Sequence, residues 1–209
     1  MRVVEIRDGF GVDALRIGER PDPTPGARQA VLEMSAWSLN YRDLLVVNGV
    51  GRWRPSLPRI PLSDGVGVVV GTGNGVSRVK VGDRVAPIFY PNWIDGEVAA
   101  EKTAQPLGGA AADGVLAEYA AFEETSLVHV PSHLSDEQAA TLPCAAVTAW
   151  NAVVASGGVA RGHTVVTLGT GGVCSSRSSS RNWLAPARSS RRAATKSSSA
   201  RPSWAPPRA

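Results

Sequence analysis

The chain has 209 residues, 43% of them apolar, so it is long enough to bury a substantial core. Its two cysteines exclude a disulfide-rich scaffold and a four-cysteine zinc module. The net charge of +4 comes from residues 174–209, which hold seven Arg, one Lys and no acidic side chain. Residues 1–173 hold 14 basic and 18 acidic side chains, a net charge of −4, so the basic character belongs to the tail alone.

The first 130 residues predict a succession of short strands and turns. The opening residues carry charges at Glu5, Arg7 and Asp8, so they contain no apolar signal core. A short helical turn covers residues 41–48, and residues 93–112 read as a long loop. Apolar, β-type content predicts strands at residues 3–6, 15–17, 30–36, 66–70, 84–89, 114–122 and 127–130. Many short strands with Gly turns favour a small, twisted, barrel-like all-β domain.

The pattern changes at Pro131, where an Ala-rich helix follows. Ser135 and Gln138 predict a capping box at its start, Pro143 interrupts it, and Gly157-Gly158 ends it after residue 155. Residues 138–160 carry no charge and could be read as a membrane span. Their Pro, Asn and Gly content favours a buried helix instead.

A Gly-rich turn follows a predicted buried strand at residues 163–168. In Gly169-x-Gly171-Gly172 the glycines would let the backbone approach a pyrophosphate, and the next helix would point its N–H groups at that anion. A strand, a Gly turn and a helix in this order open a doubly wound α/β domain. Such turns also occur without a nucleotide, so that alternative stays open. A second Gly cluster, residues 65–75, precedes a turn and a strand, so we expect its glycines to permit turns and close strand packing.

Candidate metal ligands are sparse and scattered. His129 and His133 have helical spacing, but Pro131 prevents them from sharing one helix face. His163 stands apart, and Cys144 is the only cysteine before the tail. We therefore expect no metal site, and the absence of a G-x-S-x-G motif gives no support to a serine hydrolase.

The composition changes abruptly after Val173. Residues 174–209 hold eleven Ser, seven Ala and seven Arg, and their only Leu is Leu184, so we expect this tail to be disordered. One hypothesis is a basic arm for nucleic acid. The favoured hypothesis is that the reading frame slipped near Val173. In the original frame, the bases that now encode Ser as TCN would be read as part of a codon for Phe, Leu, Ile or Val. One permitted translation contains an amphipathic helix, a Gly turn and a buried strand, and the gene sequence would decide between the hypotheses.

Six segments in this order resemble the medium-chain dehydrogenase/reductase superfamily. They are N-Y-R-D-L-L-V-V-N-G at 40–49, I-P-L-S-D-G-V-G-V-V-V at 60–70, V-K-V-G-D-R-V-A-P at 79–87, G-V-L-A-E-Y-A at 114–120, L-S-D-E-Q-A-A-T-L-P-C-A-A-V-T-A-W at 134–150 and V-V-T-L-G-T-G-G-V at 165–173. The resemblance implies a mainly β GroES-like barrel domain at 1–130, the start of an α/β Rossmann domain at 131–173, and a disordered tail at 174–209. It also implies hydride transfer between NAD(P)H and an alcohol, aldehyde, ketone, quinone or enone.

The chain departs from the zinc alcohol dehydrogenases of that superfamily at their metal ligands. Asn40 stands where those enzymes have a catalytic Cys, and Ser63-Asp64 stands where they have a His-Glu pair. Cys144 matches the third ligand, but one thiolate cannot hold a catalytic zinc. The segment at 90–110, where a structural zinc lobe would fall, contains no cysteine. The resemblance therefore implies a zinc-independent member near the quinone oxidoreductases and enoyl reductases; a zinc alcohol dehydrogenase is the alternative.

The resemblance also suggests site residues and a coenzyme. Asn40 and Tyr41 would be catalytic and face the nicotinamide and the substrate, although a turn residue and a packed aromatic remain the alternative. Thr148 would approach the nicotinamide, and the pyrophosphate would lie against Gly169, Thr170, Gly171, Gly172 and Val173. In the hypothetical sequence of the restored reading frame, the second Rossmann strand ends without an acidic residue, which favours NADP(H) over NAD(H).

The resemblance further implies a cytoplasmic homodimer that acts on a small molecule, without a membrane or nucleic-acid partner. The chain as written is expected to be incomplete and inactive. The alternative of a different class is a GroES-like binding module whose basic tail attaches to nucleic acid or anionic surfaces.

Overall fold

The structure, a computed structural model, describes residues 1–160, 163–169 and 171–176 together with the backbone of 189–192. Two compact units divide the chain, Met1–Val147 and Thr148–Ala209. The strands are β1 Arg2–Ile6, β2 Leu15–Glu19, β3 Gln29–Ser38, β4 Asp64–Thr72, β5 Arg84–Pro87, β6 Tyr119–Glu123, β7 Leu127–His129, β8 Val165–Leu168 and β9 Ser189–Arg192. The α-helices are α1 Tyr41–Val47, α2 Ala100–Thr103, α3 Asp136–Ala140 and α4 Val147–Trp150. Short 3₁₀ helices cover Val12–Ala14, Gly51–Trp53 and Glu124–Ser126, and π-helical segments cover Leu142–Ala146 and Asn151–Ala155.

Five antiparallel strands form the main sheet of the first unit, in the order β6-β3-β4-β5-β7. The long strand β3 pairs with both β4 and β6, and two register shifts between β3 and β4 bend the sheet. Strands β1 and β2 form a separate antiparallel pair. This arrangement confirms the predicted mainly β, GroES-like domain. Each predicted strand before Pro131 overlaps an observed one, and the loop predicted at 93–112 contains the single helical turn α2.

The largest buried cluster of the first unit takes side chains from all five strands of this sheet. Alternate residues of β3 point inward, because side chains alternate along a strand. The central cluster consists of Ala30, Leu32, Met34, Leu62, Val69, Val79, Val85, Leu107, Val115, Phe122 and Leu127. A smaller cluster packs α1 through Val46 and Val47 against Ile6 of β1. This second contact fixes α1, whose N-terminus carries the predicted catalytic residues.

Close strand packing explains Gly67, one of the glycines at residues 65–75 for which we predicted turns and close packing. A Cβ atom on Gly67 would lie 2.5 Å from the carbonyl oxygen of Glu33 on the neighbouring strand. That contact is far too short for real atoms, so only glycine permits β3 and β4 to approach this closely.

The helical stretch after Pro131 begins with the predicted capping box. The Oγ atom of Ser135 accepts the Gln138 N–H at 3.3 Å, and the Gln138 side chain accepts the Ser135 N–H at 3.1 Å. Ala139 and Ala140 of α3 pack against Ala36 of the main sheet. Helix α3 therefore belongs to the first compact unit, and the division between units falls later in the chain than the predicted domain boundary. Beyond α3 the helical stretch is π-helical around Pro143, which has no N–H to donate.

In the second unit, β8 pairs in parallel with β9. Val166 and Leu168 of β8 are exposed by 59% and 79%, so the strand is less buried than its apolar sequence predicts. The tail was expected to be disordered, whereas the structure places residues 172–176 in a helical turn and 189–192 in β9. Backbone hydrogen bonds to the edge of β8 do not depend on side-chain type, which explains how a Ser/Arg segment can pair there. Residues 177–188 and 193–209 lie outside the described part of the chain.

Among the described residues, no helix combines the length and the apolar character that crossing a membrane requires. The uncharged stretch at 138–160 is instead a series of short α- and π-helical segments.

Candidate active site

The predicted catalytic residues lie at the start of α1. Asn40 is the N-cap residue of the helix, and its backbone N–H donates to the Asp43 carboxylate at 2.8 Å. Tyr41 is the first helical residue and is 68% exposed. The side chain of Tyr41 therefore lies at the surface, which argues against the alternative of a packed aromatic. At the start of α1 an exposed phenol thus precedes two buried charged residues, Arg42 and Asp43.

Arg42 makes several contacts in the interior. Its guanidinium donates to the carbonyl oxygens of Leu107 at 2.6 Å and Gly108 at 3.0 Å. It also lies 4.8 Å from the centre of the Phe89 ring and 3.6 Å from the Asp43 carboxylate. Burial lowers the pKa of Arg42, but a guanidinium remains charged at any ordinary pH. The protein therefore holds a permanent, buried cation at the residue that follows Tyr41 in the helix.

Asp64 is fully buried at the start of β4. One carboxyl oxygen lies 2.7 Å from the Ser63 hydroxyl, and the other accepts the backbone N–H of Cys144 at 3.0 Å. Burial raises the pKa of Asp64, and the nearby Ser63 hydroxyl, Asn40 amide and Cys144 N–H offset part of that rise. However, the buried Nδ2 of Asn40 makes no hydrogen bond of good geometry within the described residues. The fold thus brings together Asn40, Ser63, Asp64 and Cys144, which are far apart in the sequence.

Two buried carboxyls share the field of one cation in this cluster. Burial raises the pKa of Asp43 and of Asp64, and the positive charge of Arg42 offsets part of that rise at both. Asp43 forms an ion pair with Arg42, whereas Asp64 is in no ion pair formed by the described residues.

The donor set of this cluster does not suit a zinc ion. Asn40 and Ser63 offer neutral oxygen or nitrogen atoms, and both oxygens of Asp64 are already engaged in hydrogen bonds. Among the described residues, no group of three or more His, Cys, Asp or Glu side chains is placed to hold a metal ion.

Sequence reasoning noted Asp64 only as a departure from a zinc site, and it missed Arg42 and Asp43. A signal for those two was present, because Arg42 and Asp43 lie four residues before Val46 and Val47 and all four are buried. Residues four apart share one helix face, so a buried apolar pair predicts that the charged pair is buried too. No local pattern could have shown that Asp64 contacts Cys144, since 80 residues separate them.

The Gly-rich turn joins β8 to a short helical turn. Gly169 has a φ of +95°, which only glycine adopts readily, and a Cβ on Gly171 would meet no atom within 4 Å. Gly172 and Val173 begin a helical turn at 172–176, so strand, Gly turn and helix occur in the predicted order. The Cys174 thiol donates to the Leu168 carbonyl across this turn. Thr148 is exposed, and Thr170 lies outside the described residues.

Comparisons with known proteins agree with this architecture. The family model described as "Alcohol dehydrogenase GroES-like domain" matches residues 26–132. A zinc-type alcohol dehydrogenase-like protein of Schizosaccharomyces pombe is 40% identical over 178 residues, which cover 83% of this chain and 51% of that protein. A chloroplastic quinone-oxidoreductase homolog of Spinacia oleracea is 33% identical over an alignment that covers 79% of this chain and 47% of that protein.

Solved structures show the same fold. The crystal structure of an NAD-dependent alcohol dehydrogenase superposes with a TM-score of 0.81 and 31% identity, covering 92% of this chain and 58% of that one. The chain spans about half the length of the curated relatives it matches. The sequence segments, the antiparallel sheet and these matches together show that the chain belongs to the alcohol dehydrogenase family with a GroES-like domain, within the medium-chain dehydrogenase/reductase superfamily.

Proposed function

We propose that this chain derives from a zinc-independent oxidoreductase that transfers hydride between NAD(P)H and a small carbonyl, quinone or enone. The observation that carries the proposal is the cluster of Asn40, Ser63, Asp64 and Cys144. These residues occupy the positions that the family resemblance assigns to zinc ligands, yet Asp64 is hydrogen-bonded to Ser63 and Cys144 instead. Relatives named quinone-oxidoreductase homolog and acryloyl-coenzyme A reductase support the substrate class.

A bound nicotinamide coenzyme would supply the hydride, and the chain would polarise and hold the acceptor. Negative charge grows on the substrate oxygen during hydride addition to a carbonyl or an enone, so a donor aimed at that oxygen lowers the barrier. The exposed Tyr41 hydroxyl is the proposed donor, and Asn40 holds the helix turn that carries it.

The coenzyme proposal rests on the Gly turn. The positive φ of Gly169 and the open space at Gly171 leave the backbone accessible to a pyrophosphate, with Gly172 and Val173 at the start of the next helical turn. By family resemblance, Thr170 joins the pyrophosphate contacts and Thr148 approaches the nicotinamide. The preference for NADP(H) over NAD(H) remains a prediction from the hypothetical restored frame, whose second Rossmann strand ends without an acidic residue. The homodimer also remains a prediction.

The position of β9 supports the reading-frame hypothesis. In a parallel βαβ unit this strand is apolar, because it is buried on both faces. Here it reads Ser-Ser-Arg-Arg. In the lost frame, TCN codons for Ser189 and Ser190 would yield two consecutive residues drawn from Phe, Leu, Ile and Val. We therefore propose that the 209-residue chain binds coenzyme poorly, because polar residues replace the apolar ones that would pack this unit.

The test compares the 209-residue chain with a version whose gene is restored to the other frame and extended. NADPH is titrated by fluorescence, and hydride transfer to a quinone and to an enone is followed by NADPH absorbance. We expect binding and turnover only in the restored protein. In that protein Tyr41→Phe removes the hydroxyl alone and should lower kcat by about 10²-fold. Equal NADPH affinity and rate in the two chains would refute the frame hypothesis, and a restored protein that reduces neither substrate would refute the proposed activity.

A further inference from the structure

Residues 90–106 form a loop that is closed at its base. The backbone N–H of Leu107 donates to the carbonyl oxygen of Phe89 at 3.0 Å, so the two ends of the loop lie side by side. Arg42 holds both ends, because its guanidinium lies 4.8 Å from the centre of the Phe89 ring and donates to the Leu107 carbonyl. The family resemblance would place a structural zinc lobe here, yet residues 90–110 contain neither cysteine nor histidine. A different contact therefore has to fold the tip of the loop.

The ammonium group of Lys102 binds two backbone carbonyls at this tip. Its Nζ donates to the carbonyl oxygen of Asp95 at 2.8 Å and to that of Glu97 at 3.1 Å. Gly96 between them has a φ of +69°, a left-handed conformation that favours glycine. The carbonyls on either side of this turn thus reach the same ammonium. A lysine ammonium offers three donors and no acceptor, so it suits a group of oxygen atoms.

Trp93 binds the carbonyl that lies between those two. Its indole Nε1 donates to the carbonyl oxygen of Gly96 at 3.0 Å, so two side chains of the loop hold three consecutive carbonyls. Trp93 is itself fixed, since its backbone N–H donates to the Tyr90 carbonyl and its ring centre lies 6.1 Å from that of Tyr90. Both hydrogen bonds of Lys102 end on main-chain oxygens, so they do not depend on the acidic side chains of the tip.

We propose that Lys102 is a built-in structural cation that folds residues 93–102, in place of the metal ion that the resemblance implies for this part of the chain. A structural zinc ion crosslinks a loop through Cys and His side chains. The Lys102 ammonium crosslinks this loop through main-chain oxygens instead. Hydrogen bonds from a charged donor are stronger than those between neutral groups, so removal of the ammonium should open the tip locally.

The test is limited proteolysis of the 209-residue chain with a glutamate-specific protease, with cleavage after Glu97 measured by mass spectrometry. Such a protease does not cut at lysine, so substitution of Lys102 leaves its cleavage sites unchanged. Lys102→Met keeps the apolar stem and removes the ammonium, whereas Lys102→Arg keeps a charged donor. Lys80→Met is the matched control, because Lys80 is exposed and lies outside the loop. Cleavage after Glu33, inside the paired strand β3, reports global unfolding in the same digest.

We expect Lys102→Met to accelerate cleavage after Glu97 by about 10-fold, because the loss of two charge-assisted hydrogen bonds raises the population of the open tip. Cleavage after Glu33 should not change, since Arg42 and the Phe89–Leu107 bond still close the base of the loop. Lys102→Arg and Lys80→Met should behave as the unsubstituted chain does.

Three results would overturn the proposal. The first is an unchanged rate of cleavage after Glu97 in Lys102→Met, and the second is equal acceleration after Glu97 and Glu33. The third is a Lys102→Arg chain that is cleaved as fast as Lys102→Met, because a positive charge would then not be what folds the tip. Added zinc should leave the cleavage of Lys102→Met unchanged, and protection by zinc would instead identify the loop as a metal site and refute the role of Lys102.

Discussion

Replacement of Arg42 by Met should strongly destabilise the first unit. Arg42 is 9% exposed, and its guanidinium binds two backbone carbonyls and lies 3.6 Å from Asp43. The Met side chain would still fill the space beside Phe89 and Trp53. The substitution therefore isolates the loss of charge and donors from the loss of volume.

The expected cost follows from what would remain buried without a partner. Removing one member of a buried ion pair costs about 3–5 kcal/mol. The unpaired carbonyls of Leu107 and Gly108 would add to this by up to about 1–3 kcal/mol each if no water reached them. These contributions overlap, so we expect the free energy of unfolding to fall by about 3–5 kcal/mol, a large part of the stability of an ordinary domain.

Urea unfolding at neutral pH, followed by tryptophan fluorescence, measures this difference. Arg52→Met is the matched control, because Arg52 is exposed and stacks on the same Trp53 ring, so its loss should cost only about 0.5–1 kcal/mol. The cost of Arg42→Met should shrink at acidic pH, because Asp43 without its cation can then bury as a neutral acid. A change below about 1 kcal/mol, or one that grows as the pH falls, would refute this account of the cluster.

Three further predictions concern other parts of the chain. Burial raises the pKa of Glu5, but hydrogen bonds from Arg7 and Arg20 lower it by more. The stabilisation that Glu5 provides is therefore present above the ordinary Glu pKa and is lost as the pH falls through the lower pKa of the folded state. Thermal unfolding of Glu5→Gln should accordingly depend less on acid pH than thermal unfolding of the unsubstituted chain. Gly67→Ala should lower the free energy of unfolding in urea by more than about 1 kcal/mol, because its Cβ would lie 2.5 Å from the Glu33 carbonyl oxygen. Gly71→Ala on the same strand should be nearly neutral, because its Cβ would lie 3.9 Å from Pro25. Equal effects of the two substitutions would contradict the packing argument. Elemental analysis after dialysis against zinc should find much less than one zinc ion per chain, and a stoichiometric, tightly held ion would overturn the zinc-independent assignment.

The local elements could be read from the sequence because their causes are local. Apolar, β-type content predicted β3, and Ser135 with Gln138 predicted the start of α3, whose two capping bonds are present. A capping box depends only on residues three apart, and strand character depends on alternate residues, so neither needs a partner from elsewhere in the chain. The six segments that resemble the medium-chain dehydrogenase/reductase superfamily identified the family for the same reason, since each is a short, continuous pattern.

Only the tertiary structure decided how the site is built. The sequence placed Asn40 and Tyr41 at the start of a helix, but it did not show that Arg42 binds the carbonyls of Leu107 and Gly108, 65 and 66 residues later. The contact between Asp64 and Cys144 likewise spans 80 residues. Such contacts depend on which strands pair, in the order β6-β3-β4-β5-β7, and many pairings are compatible with the same local patterns. Burial then selects the partners, because a charged group enclosed by this sheet and its loops must bind whichever polar groups the fold brings within reach.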